Sequence, residues 1–241
     1  MLGFWAISLP LTALVCFPYT LLTGDAGLLY RVAIWCAGAG VRLAGVRAVA
    51  VGLEKIAADQ RYIFMANHVS NIDPPLFVLL LPGRTSVMAK KELFDYPILG
   101  RAMRLGSFVP VARGNHVAGI AAVREAKKVI AQGLSMTIFP EGKRSLDGKL
   151  LPFKRIPFYL AMESGIFIVP ATIVGTHQAM PKGRFAIKPG NVTVIFHDPI
   201  DPKQFADPNA LMLAVRQSIN AGLPLEYRDA NGPVSVAVAE P

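Results

Sequence analysis

The sequence predicts an α/β fold: a mixed sheet flanked by helices on both faces, preceded by an N-terminal membrane-associated helical hairpin. Three observations carry this expectation. From residue 49 onward, short β-like runs alternate with helical periodicity, the pattern of a sheet covered on both sides. Residues 1–24 contain no charged side chain. Hydrophobic residues make up 53% of the 241-residue chain and the mean hydropathy is positive, a composition that favours a membrane-associated protein over a freely soluble one.

The opening apolar run is long enough to cross about 30 Å of hydrocarbon as a helix, although Pro10 and Pro18 interrupt it. A cleaved signal peptide fits less well, because no Lys or Arg precedes the apolar part and no clear small-x-small site follows it. After a turn at Thr23–Gly27, a second apolar run from Leu28 to Val46 carries Arg31 and Arg42, whose charges are expected to reach the lipid head groups. Residues 1–48 are therefore expected to form a hairpin dipping into one leaflet, with two full spans as the alternative. Residues 49–228 are read as the α/β domain and 229–241 as a frayed tail.

Within the α/β domain the expected order starts with a strand at Tyr62–Ala66 and a helix near Leu76–Leu81. A strand at Thr85–Ala89 leads to a helical stretch Glu92–Leu105 broken by Pro97, then to β-like Ser107–Ala112. A helix over about Val117–Gln132 has Asn115 as candidate cap, an apolar stripe at Ile120, Val123, Ala126 and Ile130, and Gly133 past its end. Strand Ser135–Phe139 enters the loop Pro140–Pro152. A helix around Ile156–Glu163, strands Ile166–Val174 and Val192–Phe196, and a helix near Ala210–Ala221 complete the domain.

The net charge of +9 is unevenly placed, since Pro82–Arg155 holds fourteen Lys and Arg against five Asp and Glu. That field attracts phosphate, and with apolar ends and no nucleic-acid-binding motif it points to anionic lipid or a phosphorylated substrate, not to nucleic acid. Cys16 and Cys36 both lie in apolar N-terminal runs and suggest neither a disulfide framework nor a cysteine-based metal site. No metal is expected.

Four loops at strand ends carry the candidate chemistry. In Asn67-His68-Val69-Ser70-Asn71-Ile72-Asp73, histidine and carboxylate are five positions apart, a separation that a straight helix would rotate by roughly 140°. A turn can bring them together, with Asp73 as N-cap and Pro74 in the first helical turn. The carboxylate then accepts from one imidazole nitrogen and leaves the other free to take a proton from a hydroxyl. The second loop, Gly106–Arg113, puts Arg113 at a strand exit. In the third, Phe139-Pro140-Glu141-Gly142-Lys143-Arg144-Ser145, Gly142 permits close backbone approach, Arg144 offers a fork to phosphate oxygens and Ser145 one more hydrogen bond. The fourth, Ile168-Val169-Pro170-Ala171, reads as apolar wall. Plainer readings stand beside these: a structural His–Asp bond, a solvated or salt-bridged Arg113, an ordinary polar turn at Pro140–Ser145, and a basic solvated face at Lys90-Lys91. His116, His177 and His197 show no partner pattern and are read as structural.

Taken in order, these loops resemble the lysophosphatidate and glycerol-phosphate acyltransferase family, and the bacterial 1-acyl-glycerol-3-phosphate acyltransferases in particular. The resemblance rests on Asn67-His68 with Asp73, Lys90-Lys91-Glu92-Leu93 followed by Pro97 and Gly100, Gly106–Arg113, Phe139–Ser145 and Val169-Pro170. It spans about residues 50–200. Lys143 stands where threonine is usual in the family, and Val109–Ala112 is less polar than usual. The resemblance implies His68 as general base, Asp73 as its orienting acid, and direct attack of an acceptor hydroxyl on an acyl thioester of coenzyme A or acyl carrier protein, with no cofactor. It assigns acceptor phosphate to Lys90, Arg144 and, less directly, Arg113. Asn67, Glu141, Gly142 and Ser145 fall to substrate binding or orientation, with Glu141 holding Arg144 or touching acceptor hydroxyls, and Val169 and Pro170 to the acyl pocket or wall. Its expected acceptor is lysophosphatidate, its partners are membrane phospholipids, and its expected place is the cytoplasmic face of a bacterial inner membrane. Acylation of another lysophospholipid or lyso-aminolipid, a non-catalytic phosphate-lipid binding module, and thioester hydrolysis are the rival readings.

Overall fold

The computed structural model describes residues 2–112, 116–184 and 186–229. The chain begins with α1 (Leu2–Thr23) and α2 (Gly27–Leu43), then β1 (Val46–Val51), β2 (Ile63–Ala66), α3 (Asp73–Leu80) and β3 (Thr85–Lys90). It continues with α4 (Pro97–Leu105), β4 (Val109–Val111), α5 (His116–Ala131), β5 (Ser135–Ile138), α6 (Ile156–Ser164), β6 (Ile168–Val174), α7 (Thr176–Ala179), β7 (Gly190–Phe196) and α8 (Pro208–Gly222).

The strands form one mixed sheet in the order β1-β7-β6-β2-β5-β3-β4. From β6 to β4 all neighbours are parallel; β7 pairs antiparallel to β6 and parallel to β1. Side chains of β2 alternate between two cores, as the two-residue strand period requires. Ile63 and Met65 join Ala126 of α5, Phe158 of α6 and Leu211, Val215 and Ile219 of α8. Phe64 and Ala66 face the other way, toward Val41 of α2, Leu76 and Phe77 of α3, and Phe196. Because both faces are covered, the central strands read as continuous apolar runs, not alternating ones.

The N-terminal expectation needs three corrections. Helix α1 runs through Pro10 and Pro18; each proline removes one ladder bond, and the ladder resumes by the Gly24 N to Thr20 O bond. Helix α2 ends at Leu43, short of the expected Val46, because residues 46–51 form β1, and the anticipated boundary between residues 48 and 49 falls inside that strand. Tyr30 and Val41 of α2 are buried, so α2 is a layer of the α/β core as well as the second arm of the hairpin. By contrast α1 leaves Ile7, Leu11, Leu14, Val15, Leu21 and Leu22 more than half exposed. Its inner side meets α2 through Trp5 Nε1 donating to Cys36 O and meets α4 through Arg101 over the Phe17 ring.

Helix α3 begins at Asp73 itself, with Ile72 in the cap position and Pro74 and Pro75 in its first turn, so Asp73 does not cap the helix as expected. At the other end, Asp229 accepts from Arg216 Nη2 at 2.6 Å and is not part of a frayed tail; residues 230–241, the rest of that expected tail, lie outside the described residues, as do Arg113 and Asn115.

Gly100, in the first turn of α4, donates its N–H to Tyr96 O at 2.7 Å, and a Cβ there would collide with the Phe94 carbonyl. Backbone cannot give way as a flexible side chain can. Gly100→Ala is predicted to destabilise the fold by about 1–3 kcal/mol, read by chemical denaturation; an unchanged midpoint would contradict this close approach.

Candidate active site

β2, β5 and β3 lie side by side and parallel, so their carboxyl ends open on one edge of the sheet, the edge at which open α/β sheets bind ligands. His68 follows β2, Phe139–Ser145 follow β5, and Lys90 is the last residue of β3.

His68 Nδ1 lies 2.8 Å from Asp73 Oδ2. The same oxygen accepts the backbone N–H groups of Val69 and Ser70, both at 2.7 Å. Asp73 is fully buried, whereas the His68 side chain keeps 11% of its surface open. A carboxylate only accepts, so Nδ1 is the protonated ring nitrogen and Nε2 carries the lone pair. The ring is also held by Phe139, whose centroid lies 4.5 Å away at a 30° tilt. Asp73 thus folds the turn and orients the imidazole through one atom. Its other oxygen, Oδ1, is buried with no hydrogen-bond partner among the described residues.

The main chain of His68 is clamped on both sides. Its N–H donates to Glu141 Oε1 at 2.7 Å, and its carbonyl accepts from Ser145 N at 2.8 Å. Glu141 accepts Leu151 N at its second oxygen, Oε2, at 2.8 Å and is 1% exposed. Glu141 therefore neither holds Arg144 nor reaches acceptor hydroxyls; buried beneath the site, it is a strut that orients His68. Ser145 is likewise buried, and its hydroxyl is spent on Asp147 Oδ1 at 2.8 Å instead of facing a phosphate. That bond is the main reason the Asp147 carboxyl lies below its ordinary range. Asn67 is buried and bonded through its amide to both Ile173 N and Ile173 O, stitching the end of β2 to β6. It positions backbone, not substrate.

Gly142 adopts φ +69°, the left-handed turn that glycine makes at no steric cost and that exposes the Lys143-Arg144 segment. Arg144 is half-buried, its guanidinium has no partner among the described residues, and its carbonyl accepts from Lys182 Nζ at 3.0 Å. Lys90 is exposed and paired with Glu92 at 3.2 Å. Val169 and Pro170 are buried in β6 opposite Phe64 and Met65, so they pack the sheet as wall and are not seen to line an acyl pocket. The carbonyl of Pro170 accepts from His197 N, which turns its imide nitrogen to the same side, beyond the end of the β7 ladder, where a missing N–H costs nothing. His177 and His197 lie outside the His68 cluster; His197 bonds Thr172 Oγ1, and burial holds its pKa down.

Phe139 as ring support, Lys182 and Arg216 were not singled out from sequence. Phe139 reads from sequence only as the end of a strand entering its loop, and Lys182 is 38 residues from the carbonyl it binds, a separation that carries no local signal.

Fold and site together define an α/β protein whose sheet edge presents a carboxylate-held imidazole beside a cationic loop, an arrangement suited to general base chemistry on a hydroxyl or water. The chain belongs to the Acyltransferase family, whose model matches residues 47–174. It is 42% identical over 143 residues to a 1-acyl-sn-glycerol-3-phosphate acyltransferase of Limnanthes douglasii, covering 59% of this chain and 51% of that one. It is 33% identical over 129 residues to the human 1-acyl-sn-glycerol-3-phosphate acyltransferase alpha, covering 53% and 46%. The chain spans about half the length of the curated relatives it matches. The crystal structure of the 1-acyl-sn-glycerophosphate acyltransferase PlsC from Thermotoga maritima superposes with a TM-score of 0.75 at 29% identity, covering 92% of each chain.

Burial pushes the Glu141 carboxyl from 4.5 up to about 8, against the opposite pull of its two N–H donors and of Arg216. The folded carboxyl therefore binds its proton more tightly than the unfolded chain does. Its contribution to stability is complete below about pH 4.5 and is lost as pH rises through about 8. Denaturation at stepped pH should show the native chain losing stability across that window relative to Glu141→Gln, which cannot titrate; parallel curves would contradict it. Asp73→Asn can keep one acceptor oxygen but loses the charge that steadies a protonated imidazole. Turnover that relies on His68 as general base is predicted to fall about a hundredfold or more with far-UV circular dichroism unchanged.

Proposed function

We propose that the protein transfers a fatty acyl group from an acyl thioester to the free hydroxyl of 1-acyl-glycerol-3-phosphate, forming phosphatidic acid and a free thiol. The observation that carries this reading is the His68–Asp73 pair, with Nδ1 bound to the acid and Nε2 left as acceptor, set beside Arg144 in a chain similar to acyltransferases of that specificity. The acceptor hydroxyl gives its proton to His68 Nε2 as its oxygen attacks the thioester carbonyl. Collapse of the tetrahedral intermediate breaks the C–S bond, and the departing thiolate takes the proton back from His68. No acyl-enzyme and no cofactor is needed. Coenzyme A and acyl carrier protein thioesters both satisfy this chemistry as donors.

Arg144, with Lys182 ordering its loop and Lys90 at the neighbouring strand end, supplies positive charge for the acceptor phosphate. Holding that phosphate fixes the hydroxyl relative to Nε2, which lowers the barrier by positioning. The exposed apolar side of α1, with Leu93 and Tyr96 before α4 and Ile98 and Leu99 in its first turn, lets the protein sit on the membrane that holds a lipid acceptor. Exposed Arg31, Arg42, Arg101 and Arg104 suit an anionic leaflet, supporting placement at the cytoplasmic face of a bacterial inner membrane.

Purified protein given labelled acyl thioester should consume it only when lysophosphatidate is present, and His68→Ala should abolish that consumption while leaving the fold intact. Consumption without acceptor would mean hydrolysis, and none at all a binding module. Arg144→Ala should raise the acceptor KM about tenfold or more with a smaller change in kcat, since a charge-assisted contact contributes on the order of 1.5–3 kcal/mol; an unchanged acceptor KM would put the phosphate elsewhere.

A further inference from the structure

Helix α8 lies beyond the residues matched by the family model, yet it carries a guanidinium tied to the floor of the site. Arg216 Nη1 donates to Leu151 O at 2.7 Å, and Nη2 donates to Leu150 O at 3.2 Å and to Asp229 Oδ2 at 2.6 Å. Its plane lies over Phe153, with Cζ 5.1 Å from the ring centroid. The side chain is only 14% exposed. An arginine with this many fixed contacts is not a solvated surface charge.

What it holds matters for the reaction. The same Leu151 whose carbonyl Arg216 grips gives its N–H to Glu141 Oε2, and Glu141 Oε1 takes the N–H of His68. The Leu150 carbonyl held by Nη2 shares one planar peptide unit with the Leu151 N–H, and Nη1 holds the next carbonyl, Leu151 O, so the guanidinium aims that N–H and sets where the Glu141 carboxyl can sit. Glu141 in turn sets the main chain that carries the base. From the carboxyl end, Asp229 orients the guanidinium while its own N–H donates to Asn220 Oδ1. We infer that Arg216 is a positioning residue for His68, acting through Leu151 and Glu141, with Asp229 as the latch that orients it. The inference rests on the transfer reaction proposed above for its kinetic consequence, and on the hydrogen-bond chain alone for its structural one.

The test uses the full chain in detergent micelles. Arg216→Gln removes the fork, and Arg216→Gln with Asp229→Asn removes both charges, so that misfolding caused by an orphaned carboxylate is avoided. In folded variants kcat should fall about tenfold while the KM values for acceptor and thioester stay within about twofold, because the groups that touch substrate are untouched. Arg216→Lys should recover only part of the rate, since an ammonium cannot reproduce the fork. In a Glu141→Gln background the same substitution should change kcat less than about twofold, as a shared chain of contacts requires. Hydrogen exchange should quicken at the His68 amide and leave strand 190–196 unchanged. If both effects multiply independently, or the His68 amide exchanges at the native rate in folded Arg216→Gln, the inference is wrong. If the native protein shows no acyl transfer, the reaction assignment fails and the exchange measurement alone decides the positioning role.

Discussion

Everything at the site depends on one carboxylate oxygen. Asp73 Oδ2 accepts three N–H groups, two from the backbone of the turn and one from the His68 ring. The two backbone bonds create the turn that reverses the five-residue segment, and the third uses that turn to fix the imidazole. The fold of the turn and the orientation of the imidazole are satisfied by the same atom in a fully buried position, so the turn cannot relax without moving the ring. A carboxylate is the only side chain that can serve all three donors at once while also favouring a positively charged imidazole.

The sheet supplies the rest by arrangement. Parallel β2 and β5 deliver the His68 turn and the Phe139–Ser145 loop to adjacent places on one edge, where the two exchange a bond in each direction: His68 N–H to Glu141, and Ser145 N–H to His68 O. Buried polar groups at that edge are costly unless paired, and Glu141, Ser145 and Asn67 are all paired inward. The cations Lys143 and Arg144 stay toward solvent. This division separates buried polar residues that shape the site from cations left at its surface, on a body whose apolar first helix lies against its core along one side only.

Much of this was legible in the sequence, and what was not has physical reasons. The strands could be read because β-branched and apolar runs end at turn residues, and the His68–Asp73 partnership could be read because five-residue spacing next to Pro74 demands a turn. Strand β1 is hidden in the sequence because Val46–Val51 continues an apolar helix without a break in composition; only Gly45, at φ +81°, marks the change. An Asp-Pro pair has the signature of a helix cap, yet the Asp73 side chain faces backward into the preceding turn. Polar residues in a glycine loop usually face solvent, which is why Glu141 and Ser145 read from sequence as substrate contacts. Their burial depends on the Leu151 and Asp147 contacts of the folded loop. Arg216 had no local signal, since it lies 65 residues from the carbonyl it grips and its helix reads as ordinary amphipathic periodicity.

The tautomer of His68 tests the account most directly. Nitrogen-15 spectra of histidine-labelled protein, taken above the pH at which the ring is charged, should show His68 with a pyrrole-like Nδ1 that carries the proton and a pyridine-like Nε2. Asp73→Asn should scramble or reverse that assignment. A His68 ring protonated at Nε2 in the native protein would leave no base facing the substrate and would contradict the mechanism.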